Sequence, residues 1–194
     1  MADISRLRRF VAGMTDHADQ YHDDEQAMVG GSKLLLADLV ENDDWLPDQY
    51  AIEGEIYRQY LLHCDPQQRF SVVSFVWGPG QTTPVHDHTV WGLIGMLRGS
   101  ETGQRFEIAV DGSLAPGENE RLEPGDIDIV SPTIGDIHKV SNAHDGKTSI
   151  SIHVYGANIG AVDRHVYDPA TGAQKSFISG YSNTAVPNLW DFSG

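Results

Sequence analysis

The chain has a single cysteine, few basic residues and no long hydrophobic run. The lone Cys64 excludes an intramolecular disulfide and fits a reducing compartment. Only 13 lysines and arginines stand against 28 aspartates and glutamates, and this acidity excludes nucleic acids and anionic membranes as expected partners, because both attract basic surfaces. No apolar run approaches the ~20 residues that cross a bilayer, and the N-terminus lacks the apolar core of a secretory signal. We therefore expect a soluble, cytoplasmic protein.

The 194 residues, 40% of them hydrophobic, fit one domain with a sizeable core. Apolar residues recur at helical spacing from Ile4 to Met14 and again from Leu34 to Val40. A further helix is predicted near residues 47–55. None of these segments carries obvious chemistry, and we interpret residues 1–55 as a helical cap.

From Tyr57 onward the sequence consists of short β-rich runs separated by turns that contain glycine and proline. Such spacing predicts a sandwich or small barrel, which we place at residues 56–170. Residues 171–194 are expected to pack on this barrel, because they carry the aromatic residues Phe177, Tyr181, Trp190 and Phe192. The whole chain, 1–194, is thus predicted to be a single mainly β domain.

Two histidines, His86 and His88, lie two residues apart in the strand-like run 85–97. Side chains on a strand alternate between its faces, so both imidazoles would project from one face and Asp87 from the other. Converging imidazoles suit iron, zinc, copper or nickel. Taken alone, the pair fits ordinary strand histidines equally well.

Further along, His138 stands in a second pattern, and the two patterns together resemble the paired motifs of the cupin superfamily. The first motif is matched by Gly80, His86, His88 and Gly99, and the second by Gly125, Pro132, Gly135, His138 and Asn142, with one extra residue on each side of the proline. This resemblance implies a jelly-roll barrel with a metal held by His86, His88 and His138.

The first motif departs from the cupin pattern at one position, where Gly92 replaces the usual glutamate ligand. Three neutral ligands would leave a divalent metal its full charge, which favours an anionic co-ligand such as a thiolate, and would leave adjacent positions for substrate and dioxygen. Zinc also occupies three-histidine sites, so a non-catalytic metal-binding cupin module is the alternative of another class. Turn or solvent roles are expected for Asp126, Asp128 and Asp136, ahead of hydrogen bonds to the ligands.

The stretch 148–155 alternates polar and apolar residues, so Ser151, His153 and Tyr155 share a face and can form a hydrogen-bonded relay. Alternation alone equally allows that face to be the solvent face. The surrounding sequences PVHDHTVWG, DIHKVSN and SISIHVYGANIG resemble the cysteine dioxygenase family of thiol dioxygenases. That resemblance implies Fe(II), O2 and a small thiol that becomes a sulfinic acid, with the relay as catalytic residues.

Within that family the chain resembles the bacterial 3-mercaptopropionate dioxygenases. This narrower resemblance implies that Arg164 binds the substrate carboxylate, aided by Gln59. If this assignment is shifted by one residue, Arg58 instead of Gln59 lies in the pocket, and L-cysteine dioxygenase is the alternative function. A surface ion pair with Asp163 is the alternative role for Arg164. Animal-type enzymes carry a cysteine near the first motif, cross-linked to the relay tyrosine, whereas this chain has Gly92 there, so no such cross-link is expected. The sequence predicts no oligomeric state.

Overall fold

A computed structural model describes residues 2–191. Two helices open the chain, α1 (Ile4–Tyr21) and α2 (Glu25–Val40). Each begins at an aspartate whose side chain accepts a hydrogen bond from a backbone amide of the first turn, Asp3 for α1 and Asp24 for α2. Among the described residues, no helix has both the length and the apolar character needed to span a membrane.

The helix predicted near residues 47–55 is wrong. A single 3₁₀ turn, Asp48–Tyr50, stands there instead. Only the Tyr50 ring is buried, while Ile52 and Ile56 are 57% and 68% exposed. The segment therefore lacks the apolar stripe that would hold a longer helix against the barrel.

Eleven strands follow within the described residues, all paired antiparallel. Five form one sheet in the order β1-β2-β9-β4-β7, and six form the other in the order β11-β10-β3-β8-β5-β6. The predicted fold, a mainly β jelly-roll barrel of the cupin type with an N-terminal helical cap, is confirmed. The strands are β1 (Arg58–Cys64), β2 (Ser71–Trp77), β3 (Val85–His86), β4 (Gly92–Arg98), β5 (Glu101–Ile108), β6 (Leu114–Leu122), β7 (Ile127–Val130), β8 (His138–Asn142), β9 (Ser149–Tyr155), β10 (Arg164–Tyr167) and β11 (Gln174–Phe177).

The helices cover the outer face of the five-stranded sheet. The apolar residues of β9, Ile150, Ile152 and Val154, belong to one core cluster with residues of both helices. Gly95 on β4 lets α2 approach closely, since a Cβ there would lie 3.0 Å from Leu36 Cγ. With the outer face sealed in this way, the opposite face of β9 lines the barrel interior.

The chain after residue 170 adds to the barrel. Strand β11 extends the six-stranded sheet through its pairing with β10. The following residues cross β1, where the Ser182 amide donates to the Gln59 carbonyl at 2.8 Å and the Leu61 amide donates to Asn183 Oδ1 at 2.8 Å. Residues 192–194, including Phe192, lie outside the described range.

The continuous strand predicted over residues 85–97 is wrong in its first half. Strand β3 has only two residues, and the chain leaves the sheet before β4 begins at Gly92. Thr89 has a φ of +59°, and Asp136 accepts hydrogen bonds from the amides of His88 and Thr89. The Asp136 carboxylate thus accepts the hydrogen bonds that these two amides would otherwise donate to a neighbouring strand. As a result His86 lies on a strand, whereas His88 lies on the turn that follows it.

Candidate metal centre

Three histidines form a buried cluster between the sheets. One ring nitrogen from each of His86, His88 and His138 lies within 4.8 Å of the others. His86 and His138 are direct cross-strand partners on β3 and β8. The His88 ring arrives from the turn and completes the triangle, with ring centroids 4.9 Å from His86 and 4.8 Å from His138.

Hydrogen bonds fix two of the three rings so that Nε2 is the free nitrogen. Nδ1 of His86 donates to the Pro84 carbonyl at 3.1 Å, and Nδ1 of His88 donates to Asp136 Oδ1 at 2.9 Å. Nε2 of His88 is fully buried and has no hydrogen-bond partner. A buried acceptor without a partner is costly, and a metal ion would satisfy it. The residues present therefore fit a metal.

The protonation states also suit a metal. Burial, reinforced by His88, lowers the pKa of His86 to about 3. Burial also lowers the pKa of His138 well below its ordinary value, and the neighbouring His88 and His86 add to this. Both rings are thus neutral near pH 7, the form in which imidazole binds metals.

Asp136 supports the cluster directly, so the turn or solvent role expected for it is wrong. Burial acts to raise its pKa, but the hydrogen bonds from His88 and from the amides of His88 and Thr89 outweigh burial and lower it. The charged carboxylate therefore orients the His88 ring. Nothing in the sequence links these two residues, which lie 48 positions apart. Asp126 does accept from a turn amide, that of Glu123, and Asp128 forms an ion pair with Arg105.

Asp87 points away from the cluster, and it joins β3 to β10. Its carboxylate accepts from the His165 amide at 2.8 Å, from His165 Nδ1 at 2.9 Å and from the Tyr167 hydroxyl at 2.7 Å. These bonds hold the backbone between the two histidines against the strand that begins with Arg164.

Gly92, at the position of the usual cupin glutamate, lies against the Tyr155 ring. A Cβ at residue 92 would lie 2.7 Å from Tyr155 Cδ1 and 2.9 Å from Cε1, so the tyrosine occupies the space that a ligand side chain would need. The cluster found in the described residues accordingly contains three histidines and no carboxylate. Cys64, whose Sγ donates to the Asp65 carbonyl at 3.6 Å, lies on β1.

The interior face of β9 carries a continuous hydrogen-bond chain. Ser151 Oγ lies 2.8 Å from His153 Nε2, and His153 Nδ1 lies 2.8 Å from the Tyr155 hydroxyl. The Tyr155 ring stacks on His88 with centroids 5.4 Å apart. Burial lowers the pKa of His153 and raises that of Tyr155, so each member of the relay is neutral near pH 7.

Arg164 is buried at the start of β10 without an acidic partner. It lies two residues from Val166, which pairs with His86, so its side chain shares the face of His86 about 7 Å along the strand. Nη2 donates to Ser179 Oγ at 2.7 Å, the guanidinium lies over the Phe177 ring, and Nε is buried without a partner. Among the described residues it forms no ion pair, with Asp163 or any other acid. A buried cation of this kind can bind an anion.

Gln59 and Arg58 lie on opposite faces of β1. Gln59 is half-buried and pairs with Phe75, whose ring stacks on His153. Its i−2 and i+2 neighbours, Tyr57 and Leu61, pack against the interior cluster, which places Gln59 on the interior face. Arg58 is exposed.

Sequence reasoning missed a buried carboxyl group that lies against β9. Glu101, the first residue of β5, is fully buried, although it stands outside both motifs and before the strand run expected at 104–110. No periodic or motif signal singles it out, since its burial arises only when β9 is laid against β5.

Comparison with known proteins places this site in a family. Residues 41–170 match the family described as cysteine dioxygenase type I. A double-stranded β-helix protein from Klebsiella pneumoniae subsp. pneumoniae MGH 78578 is 18% identical, with 66% of this chain and 91% of that chain covered and a TM-score of 0.46. A cupin 2 conserved barrel protein from Salinispora arenicola CNS-205 is also 18% identical, with 58% and 86% covered and a TM-score of 0.43.

Proposed function

We propose that this chain, which belongs to the cysteine dioxygenase type I family, is a non-haem Fe(II) thiol dioxygenase whose favoured substrate is 3-mercaptopropionate. The family is a thiol dioxygenase family, and the proposal adds the metal and the substrate. One observation carries it, namely that three buried histidines without a carboxylate lie on the same interior as a buried arginine that has no acidic partner among the described residues.

His86, His88 and His138 would hold the iron through their ring nitrogens. When bound, Fe(II) supplies the redox chemistry that joins dioxygen to a thiolate sulfur. The reaction balances without an external reductant, because R–S⁻ and O2 give R–SO2⁻ with both oxygen atoms on sulfur. Neutral ligands leave the positive charge of the metal uncompensated, and this favours the thiolate over the thiol.

Arg164 would orient the other end of the substrate. Its guanidinium can grip a carboxylate through two parallel hydrogen bonds, and Phe177 and Ser179 hold it in place. Gln59 on the interior face of β1 would add a neutral hydrogen bond. The Tyr155 hydroxyl lies 2.8 Å from His153 Nδ1. When His153 carries its proton on Nδ1 and donates it to Tyr155, the tyrosine can donate its own proton toward the substrate or dioxygen.

The preference for 3-mercaptopropionate over cysteine rests on the carboxylates that border the cluster. Cysteine brings an α-ammonium, which a buried site must pair with an acid. Asp136 is already occupied by His88, and Asp87 by His165 and Tyr167. Of the two carboxylates that flank the histidines in the described part of the chain, neither is left to pair with an ammonium, so the thiol acid without one fits better.

Oxygen consumption by anaerobically Fe(II)-loaded protein tests the proposal. We expect faster uptake with 3-mercaptopropionate than with L-cysteine, and the sulfinate as product. A clear preference for cysteine would overturn the substrate assignment. Stoichiometric zinc in protein from iron-replete cells, together with no uptake on either thiol, would instead favour a non-catalytic metal-binding cupin module.

Substitution of Arg164 tests the carboxylate contact. Arg164→Ala should raise KM for 3-mercaptopropionate about 10- to 100-fold, because charge-assisted hydrogen bonds contribute about 1.5–3 kcal/mol. Cysteamine, a thiol without a carboxylate, should show no such increase. The matched control is Arg58→Ala on the exposed face of β1, with an expected KM near that of the unsubstituted protein. An unchanged KM in Arg164→Ala would remove its assigned role.

A further inference from the structure

One carboxylate beside the histidine cluster takes no part in the proposed reaction. Asp87 lies between His86 and His88 in the chain, points away from the cluster and is buried. Its side chain accepts three hydrogen bonds, two from His165 and one from the Tyr167 hydroxyl, and both donor residues belong to β10. A buried carboxylate with this many donors holds them firmly, because each broken bond leaves a charged oxygen without a partner.

Asp87 extends the pairing of β3 with β10 by one position. The ladder reaches His86, which pairs with Val166, so the antiparallel register places Asp87 opposite His165. The Asp87 amide donates to the His165 carbonyl at 3.1 Å. The return bond, from the His165 amide, goes to Asp87 Oδ1 at 2.8 Å instead of to a main-chain carbonyl. A side chain therefore completes the pair that lies next to Arg164.

This pair bears directly on the position of Arg164, the residue before His165. Arg164 shares the interior face of β10 with the partner of His86, whereas the side chains of Asp87 and His165 meet on the opposite face. On its other side, Arg164 pairs with Phe177 of β11, which belongs to the same hairpin. Toward the histidine cluster, the contact of β10 is with β3 and Asp87. These bonds therefore set how far the guanidinium lies from the cluster.

We propose that Asp87 is a positioning residue that fixes the span between the histidine cluster and Arg164, and that this span selects thiol acids by chain length. The inference deepens the proposed function, on which its effect on turnover rests. A thiol acid held by its sulfur at one end and its carboxylate at the other must match the span. A misplacement of about 1 Å can cost about 100-fold in rate.

The preference between 3-mercaptopropionate and the longer 4-mercaptobutyrate tests the span. Asp87→Ala removes all three bonds to β10, so the start of β10 can move away from the cluster and the longer acid can reach Arg164. The ratio of kcat/KM for the two acids should fall about 10- to 100-fold. Turnover of 2-mercaptoethanol, which has no carboxylate to position, should not change, and the iron content after loading should not change either.

Two milder variants keep the test valid if Asp87→Ala proves unstable. Asp87→Asn retains one acceptor oxygen for the His165 amide, and Tyr167→Phe removes one hydrogen bond and leaves the two from His165. Both should shift the preference in the same direction as Asp87→Ala, by a smaller factor.

Asp65→Asn is the matched control. Asp65 is also a buried aspartate, and its carboxylate accepts from the Gln67 amide and from the Arg69 side chain. The substitution should lower the stability of the protein, as loss of any buried carboxylate with several donors would. The preference between the two thiol acids should stay that of the unsubstituted protein.

Binding without turnover gives the second readout. Equilibrium dialysis of the Fe(II)-loaded protein under argon measures Kd for each acid in the absence of oxygen. The unsubstituted protein should bind 3-mercaptopropionate more tightly than 4-mercaptobutyrate, and Asp87→Ala should reduce this difference about tenfold or more.

An unchanged preference in Asp87→Ala would overturn the inference. An equal fall for 2-mercaptoethanol, or loss of iron in Asp87→Asn, would also overturn it, because either result would show that Asp87 only supports the metal ligands or the fold. Absence of oxygen uptake on every thiol would refute the proposed function and leave the ratio of Kd values to decide the role of Asp87. Absence of both uptake and thiol-acid binding would refute the two together.

Discussion

The two faces of β9 show how one strand serves two different environments. Its outward residues, Ile150, Ile152 and Val154, pack beneath the helices in the main apolar cluster. Its inward residues, Ser151, His153 and Tyr155, form the relay beside the histidines. All seven residues of the strand are buried, so exposure does not distinguish the faces. What distinguishes them is how each face satisfies its atoms, by apolar contact outside and by hydrogen bonds inside.

This comparison explains why the polar face is the interior one. In a simple sandwich the apolar face would line the core and the polar face would meet water. Here α1 and α2 form a second core on the outside of the sheet, and the barrel interior is free to hold polar groups. The helical cap carries no chemistry itself. Its apolar contacts with the outer face of the sheet stabilise a barrel whose interior is polar.

The largest expected effect is loss of iron from the histidine cluster in the barrel interior. His138→Ala removes one of three ligand atoms, and we expect purified protein to contain no stoichiometric iron. His144→Ala, whose ring hydrogen-bonds to Ser100 outside the cluster, is the matched control and should retain iron. Metal analysis after loading and desalting measures both. Full iron content in His138→Ala would show that the cluster is not the metal site.

The next effect sharpens the contrast between the faces of β9. Ile152→Ala should lower the free energy of unfolding by about 2–5 kcal/mol, because it leaves a cavity in a packed core. Ser151→Ala, one residue away, should lower it by only about 1 kcal/mol yet reduce kcat by breaking the relay. Urea unfolding and oxygen uptake measure the pair. Equal destabilisation by both variants would contradict the conclusion that the outer face of β9 serves stability and the inner face serves catalysis.

Glu101 gives the inner face a dependence of stability on pH. Its pKa is raised from 4.5 to about 8 in the folded protein, so the unfolded chain releases the proton at lower pH. The stability that this group contributes is complete below about pH 4.5 and is lost as the pH rises to about 8, by about 1.4 kcal/mol for each unit of pKa shift. Glu101→Gln should flatten this slope in urea unfolding at pH 5 and pH 8. A slope equal to that of the unsubstituted protein would count against a buried neutral acid.

The smallest expected effect is at Gly92, under the Tyr155 ring. The Cβ of Gly92→Ala would lie 2.7 Å from the ring, so we expect a loss of about 1–3 kcal/mol and a lower kcat with iron retained. Gly30→Ala on α2, where a Cβ meets nothing within 4 Å, should instead stabilise the protein by about 0.5–1 kcal/mol. Thermal unfolding and turnover compare the two. Unchanged turnover in Gly92→Ala would show that the position of Tyr155 is not critical.

The sequence predicted the fold well where periodicity and turn residues are local signals. The helical stripe of α1, the β-rich runs and the two motifs gave the barrel with its cap. The predictions from the sequence were wrong at residues 47–55, where no long helix forms, and at the turn after His86, where the strand ends. There the outcome depends on contacts with distant residues, such as the capture of the amides of His88 and Thr89 by Asp136.

For the candidate site, spacing named the histidines and the relay, and the structure brings each set together. Their supporting groups could not be found in the same way. Asp136 reaches His88 across 48 positions, and Glu101 reaches Ser149 from 48 positions away. Such pairings follow from strand order in the folded barrel, which local sequence does not encode.

The brevity of β3 has a mechanical consequence for the barrel. In the order of the six-stranded sheet, this two-residue strand stands between the β10–β11 hairpin and the strands β8, β5 and β6. Its ladder with β8 is one residue pair, His86 with His138, and Thr83 just before it exchanges hydrogen bonds with Val140 of β8. His86 and His138 also offer two of the three ligand nitrogens. A bound ion would therefore cross-link β3 to β8. Because β10 pairs with β3, the ion would also help to hold the strand that carries Arg164 against the rest of the barrel.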